Sequence, residues 1–350
     1  MWVFTVDVGR AGTKVATGFG PREMVFFPTG LAAITNAQYD RAILRSGNPS
    51  PDYMVINDQA YAIGPVAWTY NPILPQATAQ RYRREYIGVL AVAAITRLVM
   101  GDAPWDWRPR GGECHIVASH PPQDQPHVDR LILSLQGDWH IESATRAYDL
   151  HVEAVFAEDE PVAAVMNTVL TQNGDGYQRG RPRGVVDVID MGGKTMDHAR
   201  LDANSAVLDA FTSSHAVGIN DILGDLEATL IKTYPDRFVD TVHLDRDRLE
   251  TALMTGYFTG GGSQMNVIDE AAQLRERYLT EVRQFVAGFD LANTDSLVLA
   301  GGATAMFLDE LTRLIPHENI VTAEETGIIQ FAQVRGMLKQ YNMWKTRGWL

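Results

Sequence analysis

Short apolar runs of strand period and longer stretches of helical period alternate along the chain, and past residue 184 the alternation begins again. WVFTVDVG opens as a strand, TKVATGF (13–19) follows as a second, and YMVINDQAYAIG (53–64) reads as a hairpin turning at Asn57-Asp58. GVLAVAAITRLVM (88–100) has the pattern of a core helix and HIVAS (115–119) that of a buried strand. EPVAAVMNTVL (160–170) places Val162, Val165, Met166 and Val169 at helical spacing, with Pro161 in the first turn. Polar loops are expected at 45–52 and, rich in Trp, Pro and Gly, at 102–112. QNGDGYQRGRPRG (172–184) lacks apolar periodicity and reads as a linker loop.

Beyond it, GVVDVID and MDHARLD flank a glycine turn, and helices are expected over 218–234, 248–256 and 266–289. The last of these carries Val267, Ala271, Leu274, Tyr278, Val282, Phe285 and Phe289 on one stripe. SLVLAGGATAMFLDELTRLI (296–315) reads as a buried strand, a Gly-Gly turn and a helix facing inward through Phe307, Leu311, Leu314 and Ile315. A final helix covers about 325–342. The expectation is an α/β chain of two domains, 1–171 with 327–350 and 185–326, that repeat each other in architecture and not in letters.

Composition narrows the function classes. A chain of 350 residues has room for two domains, and 45% hydrophobic with 21% charged residues fits a globular protein. The net charge of −13 argues against nucleic-acid binding through a broad basic surface, so any DNA would be reached through a basic adaptor. Cys114 is the only cysteine, which excludes an intrachain disulfide and a multi-cysteine zinc site; a packed thiol is expected. The run at 88–100 is too short for a membrane span and carries Arg97, so membrane contact is not expected. The opening strand replaces the basic and apolar segments of a signal peptide, and a cytoplasmic location is the expectation.

Two words carry the candidate chemistry: VDVGRAGTK (6–14) and VIDMGGKTMD (188–197). Each ends an apolar strand on an aspartate, Asp7 or Asp190, and turns at once through glycines. Glycines in a tight turn open backbone N–H groups to an anion with no Cβ in the way. Neither GxxxxGK[ST] nor GxGxxG is present, and both words run on into strand where those motifs require a helix. The alternative geometry is two β-hairpins facing each other across a cleft, each cradling part of one phosphate chain. The aspartates then face Mg²⁺ through water, as hard ligands of a largely hydrated ion, and Lys14 meets the phosphates.

DVGRAGTK and DMGGKTMD resemble the two phosphate loops of the actin-fold ATPases. AGGATAMF (300–307) resembles their adenosine motif, FAEDEPVAAV (156–165) their first connecting helix and FAQVRGMLK (331–339) the second. All five stand in the superfamily's order, so the resemblance covers almost the whole chain, and its nearest branch is the ParM-type bacterial and archaeal actin homologues. The resemblance implies an actin-like (ribonuclease H-like) duplicated fold, two domains around a nucleotide cleft. It implies ATP or ADP held by Asp7, Gly9, Gly12, Thr13, Lys14, Asp190, Gly192, Gly193, Lys194, Thr195, Gly301, Gly302 and Ala303, with Mg²⁺ near Asp7 and Asp190. A carboxylate of the first connecting segment would position water. The ParM pattern, three residues before the proline, selects Glu158; the pattern of heat-shock chaperones and MreB selects Glu160, and the ParM character of the rest tips the choice to Glu158. Lys194 departs from the small residue or arginine of many relatives.

The resemblance implies an ATPase that polymerises with itself into filaments in a nucleotide-dependent way, as in plasmid segregation. A small-molecule kinase of the same superfamily would need a substrate-pocket carboxylate and a sugar-kinase signature, which is missing. A chaperone-like ATPase lacks length for a substrate domain, and a non-hydrolysing nucleotide sensor is the remaining alternative. Against all of these stands the plainer reading of single residues. Asp7 or Asp190 alone would be a turn-capping carboxylate, Lys14 a solvated strand residue, Thr13 and Thr195 strand formers, and His115, His120 and His127 structural. Trp105 and Trp107 are expected to pack under their loop, and the tail 343–350 to fray. The matched pair of words decides for function.

Overall fold

Seven residues, Trp2–Val8, form β1, whose last five are buried, as a strand covered on both faces requires. It turns into β2 (Gly12–Ala16) and then β3 (Met24–Pro28), an antiparallel meander. β4 (Leu31–Ala33), β5 (Tyr53–Ile56) and β6 (Gln59–Ile63) extend the sheet at its far end. β5 and β6 turn through Asn57 and Asp58, both at positive φ, as a two-residue hairpin favours. β7 (Gly112–His120), β8 (Gly137–Glu142) and β9 (Ala147–Asp159) complete nine strands in the order β3-β2-β1-β7-β9-β8-β5-β6-β4, with β1, β7 and β9 parallel. In this computed structural model the described residues are 1–46, 51–75, 77–100, 112–143, 147–238, 244–260, 262–323 and 329–350. The loop bearing Trp105 and Trp107, part of the loop at 45–52 and the domain boundary at 326/327 lie outside them.

Helices of the first half are α1 (Asn36–Ser46), α2 (Thr78–Arg81), α3 (Val89–Met100), α4 (Val128–Leu135) and α5 (Glu160–Val169). α3 is almost wholly buried in the core formed with β1, β2 and β7, and Cys114 lies in that core, where burial pushes its thiol up to about 12.

β10 (Val186–Met191), β11 (Met196–Leu201) and β12 (Ser213–His215) repeat the antiparallel meander. α6 (Ile219–Thr233), α7 (Arg246–Thr255), the hairpin β13 (Tyr257–Gly260) and β14 (Ser263–Asn266), and α8 (Ile268–Val286) follow. β15 (Ser296–Ala300), α9 (Gly302–Leu314) and β16 (Ile320–Thr322) close the second sheet, and α10 (Ala332–Thr346) returns to the first. The order β12-β11-β10-β15-β16 matches β3-β2-β1-β7-β9, with a meander on one side of the central strand and parallel strands on the other. This is the repeat in architecture that the letters conceal. Asp7 and Asp190 are each the penultimate residue of a central strand, at the carboxyl end where α/β sheets bind ligands.

The stretch 172–184 joins the halves but is packed. Gln178 Nε2 donates to Asn167 O and Leu170 O, and Gly174 fits so closely that a Cβ would lie 2.2 Å from Met343 N. α10 starts later than its apolar pattern suggested and runs through Trp344, whose ring lies 5.8 Å from Phe156, to Thr346, so the first half of the tail is helix. α5 and α10 cross where Gly336 meets Ala163: a Cβ on Gly336 would stand 1.7 Å from Ala163 O. No side chain fits without parting the helices. Gly336→Ala should therefore lower the urea-unfolding free energy by about 1–3 kcal/mol. Gly224→Ala, on exposed α6 with open space at its Cβ, should raise it by up to about 1 kcal/mol. Equal stability of Gly336→Ala and the parent would contradict the crossing.

Candidate nucleotide site

Antiparallel register puts Asp7 opposite Lys14, so the two side chains lie on one face of the first hairpin, and Lys14 Nζ stands 2.7 Å from Asp7 Oδ2. The turn between them closes through Gly9 N donating to Gly12 O, 3.0 Å. Thr13 does not face the cleft; its Oγ1 lies 2.9 Å from Thr29 Oγ1, which donates to Gly9 O and braces the turn from behind. Gly12 packs against the Phe26 ring, which a Cβ would strike.

The second hairpin is built alike, with one change of sign. Asp190 stands opposite Asp197, where the first hairpin has aspartate opposite lysine. Gly192 N donates to Thr195 O at 2.9 Å, and Thr195 Oγ1 donates to Asp197 Oδ2 at 2.7 Å. The first amides of α6 donate to Gly192 O and Gly193 O and pin the turn. The two turns meet: a Cβ on Gly193 would lie 2.1 Å from Ala11 Cβ. Lys194 leaves the cluster, with its Nζ 2.9 Å from Asp221 on α6 at the surface.

Between the hairpins the charges crowd. Burial pushes Asp190 up to about 6, reinforced by the Asp197 and Asp7 charges and opposed by Lys14 and by a hydrogen bond from Gln333. Burial works against the Lys14 ammonium, but Asp7, Asp190 and Glu160 outweigh it and raise its pKa. Glu160 is held well above the usual carboxylate range by burial and by Asp7, Asp190 and Asp197, against the pull of Arg81. It keeps part of its surface accessible, as a side chain on a cleft wall does.

The structure thus separates the two candidate glutamates. Glu158 is still in β9, paired with Ser119, and its carboxyl faces the Gln340 amide of α10; burial raises it to about 7, while the Asp159 N–H and Gln340 pull it back. Glu160, the first residue of α5 after the cap Asp159, is turned into the Asp7–Asp190–Asp197 field. The ParM spacing selects Glu158, whereas the shared electrostatic field is that of Glu160.

At the third motif, Gly301 adopts φ +91° and lies against the second hairpin, where a Cβ would stand 2.3 Å from Asp190 Oδ1 and from Met191 O. Gly302, first in α9, is exposed, and a Cβ there meets nothing within 4 Å. Ala303 is buried in the second core and faces away from that space. Several residues at the site carry no motif. Arg81, from α2, is buried and donates to Val8 O at 2.6 Å and to Asp124 at 3.4 Å. Gln333 Nε2, from α10, donates to Asp190 Oδ2 at 2.6 Å, and Gln123 Nε2 approaches Asp197 at 3.5 Å. Only Asp197 had a signal, since its seven-residue offset from Asp190 copies that of Lys14 from Asp7.

Among the described residues no three His, Cys, Asp or Glu side chains converge as a metal site of their own. Asp7 and Asp190 are hard oxygen donors with like-charged neighbours, and the buried Gln333 Oε1 beside Asp190 has no partner among the described residues. That set fits an ion such as Mg²⁺ that keeps its waters and shares phosphate oxygens.

No protein-family model matches the chain, and no curated protein matches it. Solved structures do. The crystal structure of the archaeal actin homologue Ta0583 covers 97% of this chain and 99% of its own at TM-score 0.72 and 18% identity. Its ADP complex matches at TM-score 0.69 with the same identity and coverage. A 15-stranded ParM filament from Clostridium botulinum covers 97% of this chain and 98% of its own at TM-score 0.65 and 16% identity. The fold is therefore the actin-like fold, two α/β domains each built on the same five-strand core. Within it the chain has the form seen in the archaeal actin homologue and in ParM proteins.

The raised Asp190 pKa fixes the sign of a pH effect. The folded state binds this proton more tightly than the unfolded chain, so stability is lost as pH rises from about 4 through about 6. Asp190→Asn should stabilise the ligand-free protein at pH 8 by on the order of 2 kcal/mol, a gain that vanishes below about pH 4. Urea unfolding across that range checks it; no gain at pH 8 would mean the carboxylate is not under strain.

Proposed function

We propose that the chain is an ATP-binding and ATP-hydrolysing actin-like protein that polymerises with itself as its nucleotide state changes. The observation that carries this reading is the meeting of two matched hairpins, with Asp7, Lys14, Asp190 and Glu160 in one electrostatic cluster between them. A polyanion with a divalent ion resolves that crowding, because the ion faces the carboxylates while Lys14 and the turn amides meet phosphate oxygens. Gly302 leaves room beside the N-terminus of α9 for the adenosine side of the nucleotide. The solved ADP complex of Ta0583 and the ParM filament are consistent with this reading. No helix among the described residues is long and apolar enough to cross a membrane, and a cytoplasmic filament is the setting proposed. An adaptor would link such a filament to DNA or other cargo.

Asp7 and Asp190 would hold a hydrated Mg²⁺, which when bound would supply charge neutralisation for the phosphates. Lys14 would draw in the phosphate chain, and Arg81 fixes the end of β1 through Val8 O. Glu160, at the start of α5, accepts a hydrogen bond from the attacking water and orients it, a contribution of about 10²–10⁴ in rate. Glu158, whose carboxyl faces Gln340 of α10, is not given this role in the proposal.

Glu160→Ala should leave ATP-driven assembly intact and slow phosphate release by about 10²-fold or more, so filaments form and persist. Glu158→Ala should turn over near the parental rate. Sedimentation and phosphate release with ATP and Mg²⁺ check both. Parental disassembly by Glu160→Ala would remove the role assigned to it, and a parent that gives no polymer would remove the filament reading.

A further inference from the structure

α10 presents three residues on one face, Gln333, Gly336 and Gln340, spaced three and four apart as neighbours on a helix surface are. Each meets a different part of the site. Gln333 donates to Asp190 of the second sheet, Gly336 seats the carbonyl of Ala163 on α5, and Gln340 faces Glu158, two residues before Glu160. One helix that packs on the first sheet therefore touches the carboxylate strands of both halves. Gln333 is 2% exposed, and the bond it makes is with one oxygen of Asp190; the other oxygen of that carboxylate lies against Gly301. Its own Oε1 is buried with no partner among the described residues, an arrangement that costs free energy and that packing alone does not call for.

Resting on the nucleotide-site reading above, we propose that Gln333 is a positioning residue. Its amide fixes the plane of the Asp190 carboxylate and ties β10 to α10, so that closure of the two halves and capture of a hydrated divalent ion run through one side chain. The unpartnered Oε1 is the acceptor for a water of that ion. A carboxylate aimed by a neutral donor keeps its charge for the ion, which a lysine in the same place would cancel.

The test uses Gln333→Met, near in volume and without the amide, and Gln340→Met as a control on the same face. In the ligand-free protein, deuterium uptake over 188–193 should rise at least about threefold in Gln333→Met and stay unchanged in Gln340→Met, with the urea midpoint of both near the parent's. With a fluorescent ATP analogue, Gln333→Met should bind as the parent does in EDTA. It should lose about tenfold of the affinity gained on adding Mg²⁺. Unchanged uptake with an unchanged Mg²⁺ gain would overturn the proposal. So would a lower urea midpoint with equal losses in EDTA and in Mg²⁺, the mark of a merely structural role. A parent that binds no nucleotide in either condition would sink the nucleotide-site reading instead, and the ligand-free exchange would still decide whether Gln333 ties β10 to α10.

Discussion

Asp7, Asp190, Asp197 and Glu160 act on one another in a partly buried space where Lys14 and Arg81 supply the opposing positive charge. Like charges held together away from solvent are costly, and the cost is visible in the raised pKa values of Asp190 and Glu160. That repulsion works to push the sheets on either side apart. Instead the second hairpin touches the first at Gly193 and Ala11, and two glutamines from the first half reach its carboxylates. A strained cluster bound by neutral amides is the feature on which the proposed cation and polyanion site rests.

The two-fold repetition of the core explains how such a cluster arises. Each sheet places an aspartate at the carboxyl end of its central strand, and facing sheets bring the two ends together. The α5–α10 crossing then fixes how closely they approach, because Gly336 allows backbone contact with Ala163 where a side chain would wedge the helices apart. α10 takes part in that crossing and, through Gln333, also contacts Asp190 of the second sheet.

Much of this was legible in the letters. The aspartate-glycine words, their strand context and the order of the five motifs located both hairpins, α5, β15 and α10, because strand period and turn chemistry are local properties. What the letters did not carry is side-chain direction. Glu158 and Glu160 differ by whether β9 or α5 claims the residue, and the cap at Asp159 swings the second into the cleft. Lys194 looked like a phosphate ligand, but the N-terminal turn of α6 offers Asp221 within reach. Arg81 and Gln123 come from distant segments with no pattern around them, and Gln333 lies within the second connecting-helix motif with nothing to single it out. Only the packing of α2, the 122–127 turn and α10 reveals what they touch.

The central claim is that both hairpins grip one nucleotide. Amide hydrogen exchange of the parent protein with and without ATP and Mg²⁺ tests it most directly. The account predicts that residues 9–13 and 192–196 become protected together, with 301–304 following, and that ATP in EDTA protects them less. Protection of one hairpin alone, or of neither while the analogue still binds elsewhere, would contradict it.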